Sequence, residues 1–220
     1  MSKEEKFLND ELLINARKPK GELGSKLIDM MNENHEGLSQ WSIGYLNISK
    51  DDIIIDIGCG GGINVERFLE MTENKVYGLD YSELSVERST KLNQKAIDDG
   101  RCEIINGSVS DLPFNDNSFD IVTAFESVYF WPDLVSDLAE VRRVLKEDGR
   151  LFIANEALKI EDDKRQKEFC ELLDANIYSK DELHESLKKA GFSQVTTHIK
   201  NSNDSFTGDE SNWICIIARK

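Results

Sequence analysis

Positive charge is scarce in this chain. Its 27 Lys and Arg stand against 42 Asp and Glu, for a formal net charge of −15 with the three His neutral. Nucleic-acid binding draws much of its affinity from neutralised phosphates, so this balance argues against a nucleic-acid partner and, by the same sign, against an anionic membrane surface. The one basic cluster, Arg17, Lys18, Lys20 and Lys26, has acids within a few positions and reads as a solvated face. Long hydrophobic runs are also missing. No stretch approaches the roughly 18–20 consecutive apolar residues of a membrane span, and the start Met-Ser-Lys-Glu-Glu-Lys is not a secretory signal. The four cysteines, Cys59, Cys102, Cys170 and Cys215, lack ligand spacing, so no metal site and no disulfide framework is expected. A soluble cytoplasmic protein with reduced cysteines, monomeric or homodimeric, is the expectation.

What the chain does have is concentrated between Ile53 and Asn64, which read Ile-Ile-Ile-Asp-Ile-Gly-Cys-Gly-Gly-Gly-Ile-Asn. Consecutive isoleucines suit a strand buried on both faces, and Gly58, Gly60 and Gly62 let the backbone turn sharply out of it. A ligand can then approach bare main chain, beside the first amides of the amphipathic helix that follows. The dinucleotide fingerprint requires glycine at the sixth loop position, where this chain has Ile63. The P-loop is excluded because no Gly-Lys-Ser/Thr follows. Asp56, two residues before the first glycine, would repel a pyrophosphate and attract an ammonium group.

A second strand, Lys75 to Asp80, ends in a carboxylate 24 positions after Asp56, and an acid there can accept hydrogen bonds from ribose hydroxyls. An ammonium group at one end and an unphosphorylated ribose at the other describe S-adenosylmethionine. At this point the chain resembles a class I S-adenosylmethionine-dependent methyltransferase. Gly107-Ser-Val-Ser-Asp-Leu-Pro-Phe114 is similar to the segment that frames the adenine. Phe119-Asp-Ile-Val-Thr-Ala-Phe-Glu126 resembles the fourth strand and its mouth, and Val144 to Ile153 the turn into the fifth. Ser108 stands where the family often has an acid for the adenine amino group; a hydroxyl accepts that bond more weakly, which shifts weight to the backbone of Val109. The resemblance implies S-adenosyl-L-methionine as cofactor, S-adenosyl-L-homocysteine as product, and a cofactor site of Asp56, Gly58, Cys59, Gly60, Asp80, Tyr81, Ser108, Val109 and Phe125.

Residues 1–50 show helical spacing without strand signal. From Asp52 onward, β-rich runs alternate with amphipathic helices: strands at 52–57, 75–80, 102–106, 118–124 and 149–155, helices at 63–72, 82–96 and 133–146. Helices near 163–174 and 180–190 and strands near 194–200 and 212–219 complete the pattern. It predicts an α/β fold with a mostly parallel, doubly wound sheet covered on both faces. The resemblance adds seven strands closed by one antiparallel member. Residues 51–220 are expected to form one cofactor-binding unit, with 1–50 as a helical cap over the active site. Ligands of such sheets bind beyond the carboxyl ends of the strands, here 58–62, 80–82, 107–109, 125–131 and 155–156.

Methyl transfer from a sulfonium is an in-line displacement that mainly requires placing a nucleophile about 3 Å from the methyl carbon and excluding water. The aromatic run Tyr129-Phe130-Trp131 offers walls for that purpose. Tyr129, Glu126 and His35 are the candidate catalytic residues, His35 as a base for an acceptor that must lose a proton. His184 and His198 read as structural. The isolated prolines rule out the Asn/Asp-Pro-Pro-Tyr motif of amide and amino nitrogen methylation, and no Pro-Cys pair is present. A small-molecule acceptor is therefore favoured. An aminopropyl transferase on the same sheet, or a protein that binds S-adenosylmethionine without turnover, fits the same motifs.

Overall fold

The computed structural model describes residues 11–203 and 210–220. The beginning of the N-terminal helical segment and most of the polar run at 201–211 lie outside the described residues. Two helices, α1 (Gly21–Asn34) and α2 (Glu36–Ile43), precede the sheet. Then follow β1 (Ile54–Ile57), α3 (Ile63–Met71), β2 (Val76–Asp80), α4 (Glu83–Leu92), α5 (Gln94–Asp98), β3 (Cys102–Asn106) and β4 (Phe119–Phe125). The remainder is α6 (Leu134–Val144), β5 (Leu145–Asn155), α7 (Lys164–Leu173), α8 (Lys180–Lys189), β6 (Ser193–Asn203) and β7 (Glu210–Arg219).

The seven strands are ordered β3-β2-β1-β4-β5-β7-β6, and β7 alone runs antiparallel to its neighbours. Chain order reverses between β1 and β4, which places the crevice at their carboxyl ends. Every residue of β1 is buried, as a central parallel strand covered on both faces requires. Ile55 and Ile57 pack into the layer with Leu138, Val141 and Leu187, whereas Ile54 joins Leu38, Val65 and Phe68 on the other side.

Two expectations shift. The helix predicted over 82–96 breaks at Asn93, whose Nδ2 donates to the carbonyls of Gly62 at 3.2 Å and Ser89 at 3.0 Å instead of facing solvent. The fifth strand starts earlier than 149, because Leu145 pairs with Phe119 before the turn at Asp148, which holds φ 63°. The N-terminal helices pack into the protein's interior. Leu27 and Leu38 are fully buried, and Ser82 Oγ donates to the carbonyl of Pro19 at 2.8 Å.

Candidate functional site

The loop after β1 is shaped by the helices that press on it. A Cβ on Gly61 would stand 2.5 Å from Asn32 Nδ2 and 2.7 Å from Ile28 Cγ2, so the absence of a side chain lets α1 close over the loop. Gly60 has the opposite surroundings. At φ 53° it would direct a Cβ into space with no protein atom within 4 Å, and its backbone lines the cavity that opens there. Its N–H donates to Asp80 Oδ2 at 2.9 Å, while Asp80 Oδ1 accepts the N–H of Ser82 at 2.8 Å. The tip of β2 thereby fixes both the glycine loop and the start of α4.

Asp56 lies at the end of β1, 1% exposed, and its Oδ1 accepts the hydroxyl of Thr123 on β4 at 2.7 Å. Burial raises its pKa to about 7; the Thr123 hydrogen bond opposes that rise and the Asp80 charge adds to it. Burial also raises Asp80, against the amides of Ser82 and Gly60. This cavity wall therefore holds two carboxyls whose charged forms a cation would stabilise.

The cavity brings together His35, Asp56, Gly58, Cys59, Gly60, Asp80, Tyr81, Ser108, Val109, Phe125 and Glu126 from the sequence-derived set. Cys59 contributes main chain, since its Sγ lies 3.9 Å from the hydroxyl of Ser89, among buried groups. Its thiol pKa is pushed well up by burial. Tyr81 donates its hydroxyl to the carbonyl of Arg17, tying β2 to the N-terminal segment. Phe125 packs on Phe152, with ring centroids 5.3 Å apart.

Tyr129 is not among the residues that line the cavity. It occupies a short 3-10 turn, Val128–Phe130, and packs with Leu173 and Ala175, a cluster that Phe130 also borders, while Phe130 and Trp131 line the cavity. Its hydroxyl accepts the N–H of Ala157 at 3.1 Å and donates to Glu126 Oε1 at 3.3 Å. Burial, with the Glu126 charge, drives its pKa well above the ordinary phenol value, so it stays protonated and supports Glu126 from behind. The two other histidines stay away from the cavity wall: His184 Nε2 lies 2.6 Å from the Thr197 hydroxyl, and His198 stacks on Tyr45.

Glu126 follows β4 with φ 51°, a left-handed conformation unusual for a residue with a side chain. Its N–H donates to the carbonyl of Ala154 at 2.9 Å, and its Oε1 accepts the N–H of Glu156. Sequence reasoning missed Ser39, Asn32 and Asn64 on the cavity wall. Ser39 carried a readable signal, because it lies four residues after His35 and so on the same helical face.

A family model described as a methyltransferase domain matches residues 55–153, a little under half of the chain. Over this stretch the chain is similar to methyltransferase domains. The stretch contains β1 through most of β5, with the glycine loop, Asp80 and Glu126. The chain is similar to 24-methylenesterol C-methyltransferase 2 of Arabidopsis thaliana, 31% identical over 130 residues, which cover 57% of this chain and 36% of that protein. It is also similar to 27-O-demethylrifamycin SV methyltransferase of Amycolatopsis mediterranei, 35% identical over 112 residues, covering 51% of this chain and 41% of the relative. The chain thus spans less than half the length of either. Among solved structures, phosphoethanolamine N-methyltransferase 2 of Haemonchus contortus superposes with a TM-score of 0.76 at 16% identity, over 89% of this chain and 57% of that one. That likeness is one of fold.

Proposed function

We propose that the chain binds S-adenosylmethionine in this cavity and transfers its methyl group to a small-molecule acceptor. The observation that carries the reading is the cradle at Gly60: bare main chain facing open space, clamped by Asp80 and flanked by the buried carboxyl of Asp56. When bound, S-adenosylmethionine supplies an electrophilic methyl group on a sulfonium. Asp56 would face its ammonium group, Asp80 its ribose hydroxyls, and Ser108 and Val109 its adenine. Sterol and rifamycin methyltransferases among the relatives support a small acceptor.

Helices α1 and α2 act in this reading as the roof of the acceptor space, with Phe130 and Trp131 as its apolar wall. Enclosing the reacting centre strengthens electrostatic interactions there and keeps the acceptor oriented. Among the described residues, no helix is long and apolar enough to cross a membrane, and the four cysteines are unpaired. We place the reaction in the cytoplasm on that pattern.

The test is ligand-induced stabilisation measured by thermal melting and calorimetry. S-adenosylhomocysteine should raise the melting temperature by mass action, with NAD and ATP giving no shift. Stabilisation by NAD but not by S-adenosylhomocysteine would refute the reading.

A further inference from the structure

The cysteine pattern excluded a thiolate metal site, yet the fold assembles a different donor set from three distant parts of the chain. His35 stands at the junction of α1 and α2, Glu126 at the end of β4 and Glu156 just after β5, and one ligand atom from each lies within 4.8 Å of the others. We propose that His35, Glu126 and Glu156 bind a divalent transition-metal ion that opens onto the acceptor side of the cavity. An ion about 2.1 Å from each donor needs those atoms roughly 3–4 Å apart, a contraction within reach of small side-chain rotations.

Tyr129 backs one of the donor groups directly, and main-chain hydrogen bonds fix the other two residues. Tyr129 donates to Glu126 Oε1 at 3.3 Å, and Ser211 donates to the carbonyl of Glu156. On the first helical segment, the N–H of His35 donates to Met31 at 3.0 Å and its carbonyl accepts from Ser39 at 3.0 Å. Glu156 is 2% exposed and lies beside a second carboxylate, in a protein of net charge −15. Two carboxylates sharing a dehydrated site repel each other, and a dication offsets that repulsion.

A second observation points to a ligand in the same cavity. Ser39, one helical turn from His35, lines the cavity at 1% exposure, and its hydroxyl has no hydrogen-bond partner among the described residues. Buried hydroxyls are ordinarily satisfied, so a bound group facing Ser39 would complete it. One imidazole nitrogen with two carboxylate oxygens suits Mn²⁺, Fe²⁺, Co²⁺ or Zn²⁺ better than the all-oxygen preference of Ca²⁺ or Mg²⁺. Three protein ligands leave a coordination position free. Resting on the methyltransferase reading, that position selects an acceptor that presents an oxygen donor to the ion.

The full-length chain, stripped with chelator, should be titrated with Co²⁺ and followed by visible absorption, alone and with S-adenosylhomocysteine. One ion per chain is expected. Affinity should fall at least tenfold in His35→Ala and in Glu156→Gln, with circular dichroism checking that each variant is folded. Absence of stoichiometric Co²⁺ uptake, or uptake that both variants leave unchanged, would overturn the proposal. Should Glu156→Gln fail to fold, His35→Ala at the cavity surface decides alone. The two readings fail separately: a chain that binds S-adenosylhomocysteine without Co²⁺ loses only the metal site, and a chain that binds Co²⁺ without S-adenosylhomocysteine loses only the methyltransferase reading.

Discussion

Asp80 Oδ2 accepts the backbone N–H of Gly60 at 2.9 Å, so the tip of β2 holds the glycine loop of β1 in place. The same carboxylate accepts from Ser82 at the start of α4. Asp80 therefore braces the loop, and the proposed function makes it a ribose contact as well. Asp80→Ala should weaken S-adenosylhomocysteine binding by about 1.5–3 kcal/mol, the range for a hydrogen bond to a charged group, and should also lower the melting temperature. Calorimetry on the folded variant checks the first effect, and unchanged affinity would remove Asp80 from the site.

Asp56 gives a pH dependence with a defined sign. Its folded pKa, about 7, lies above its ordinary value of 3.8, so in the ligand-free protein its contribution to stability is present below the lower value and is lost as pH rises through the higher one. A cationic ligand group favours the carboxylate instead. Affinity for S-adenosylhomocysteine should thus rise between about pH 6 and pH 8, with proton release seen as a buffer-dependent heat. Asp56→Asn should flatten that rise and, without ligand, melt higher than the parent at pH 8.

Two neighbouring glycines should respond differently to a side chain. Gly60→Val should fold with a modest loss of melting temperature from its positive φ and should lose S-adenosylhomocysteine binding, since the new side chain enters the cavity. Gly61→Ala should destabilise the protein by about 1–3 kcal/mol or displace α1, because its Cβ meets the side chains of Asn32 and Ile28. Urea melts of both variants, paired with calorimetry, separate the two outcomes. Equal ligand affinity in Gly60→Val and the parent would contradict the cradle.

Tyr129→Phe removes the hydroxyl that links Glu126 to Ala157 and leaves the ring packed against Leu173. Stability should fall by about 1 kcal/mol, the usual net worth of one hydrogen bond. If Glu126 serves the acceptor side, turnover with an identified acceptor should fall while S-adenosylhomocysteine affinity stays constant. A loss confined to cofactor affinity would place Tyr129 on the other half of the cavity.

The strands were legible because buried parallel strands read as near-continuous apolar runs, as Ile53–Ile57 does. The residues ending them were legible because a carboxylate or glycine at a strand end has few structural reasons to be there. Tyr129 was not told apart from its neighbours for the converse reason: three consecutive aromatics look alike in sequence, and only the 3-10 turn decides that Phe130 and Trp131 line the cavity while Tyr129 does not. The convergence of His35, Glu126 and Glu156 was hidden too, since no spacing rule links the junction of two helices to the ends of two strands. The burial of Leu27 and Leu38 makes the N-terminal helices part of the core, a role their amphipathic spacing alone did not distinguish from a lid.

The left-handed backbone at Glu126 sets a trap for protein engineers. A side chain in that conformation costs on the order of 1 kcal/mol, which invites glycine or asparagine there in a design for heat resistance. Either replacement would relax the bend and remove the carboxylate that accepts from the Glu156 amide and the Tyr129 hydroxyl. A design that counts only the backbone strain would thus trade one small gain for two lost hydrogen bonds, and position 126 is the one to hold fixed.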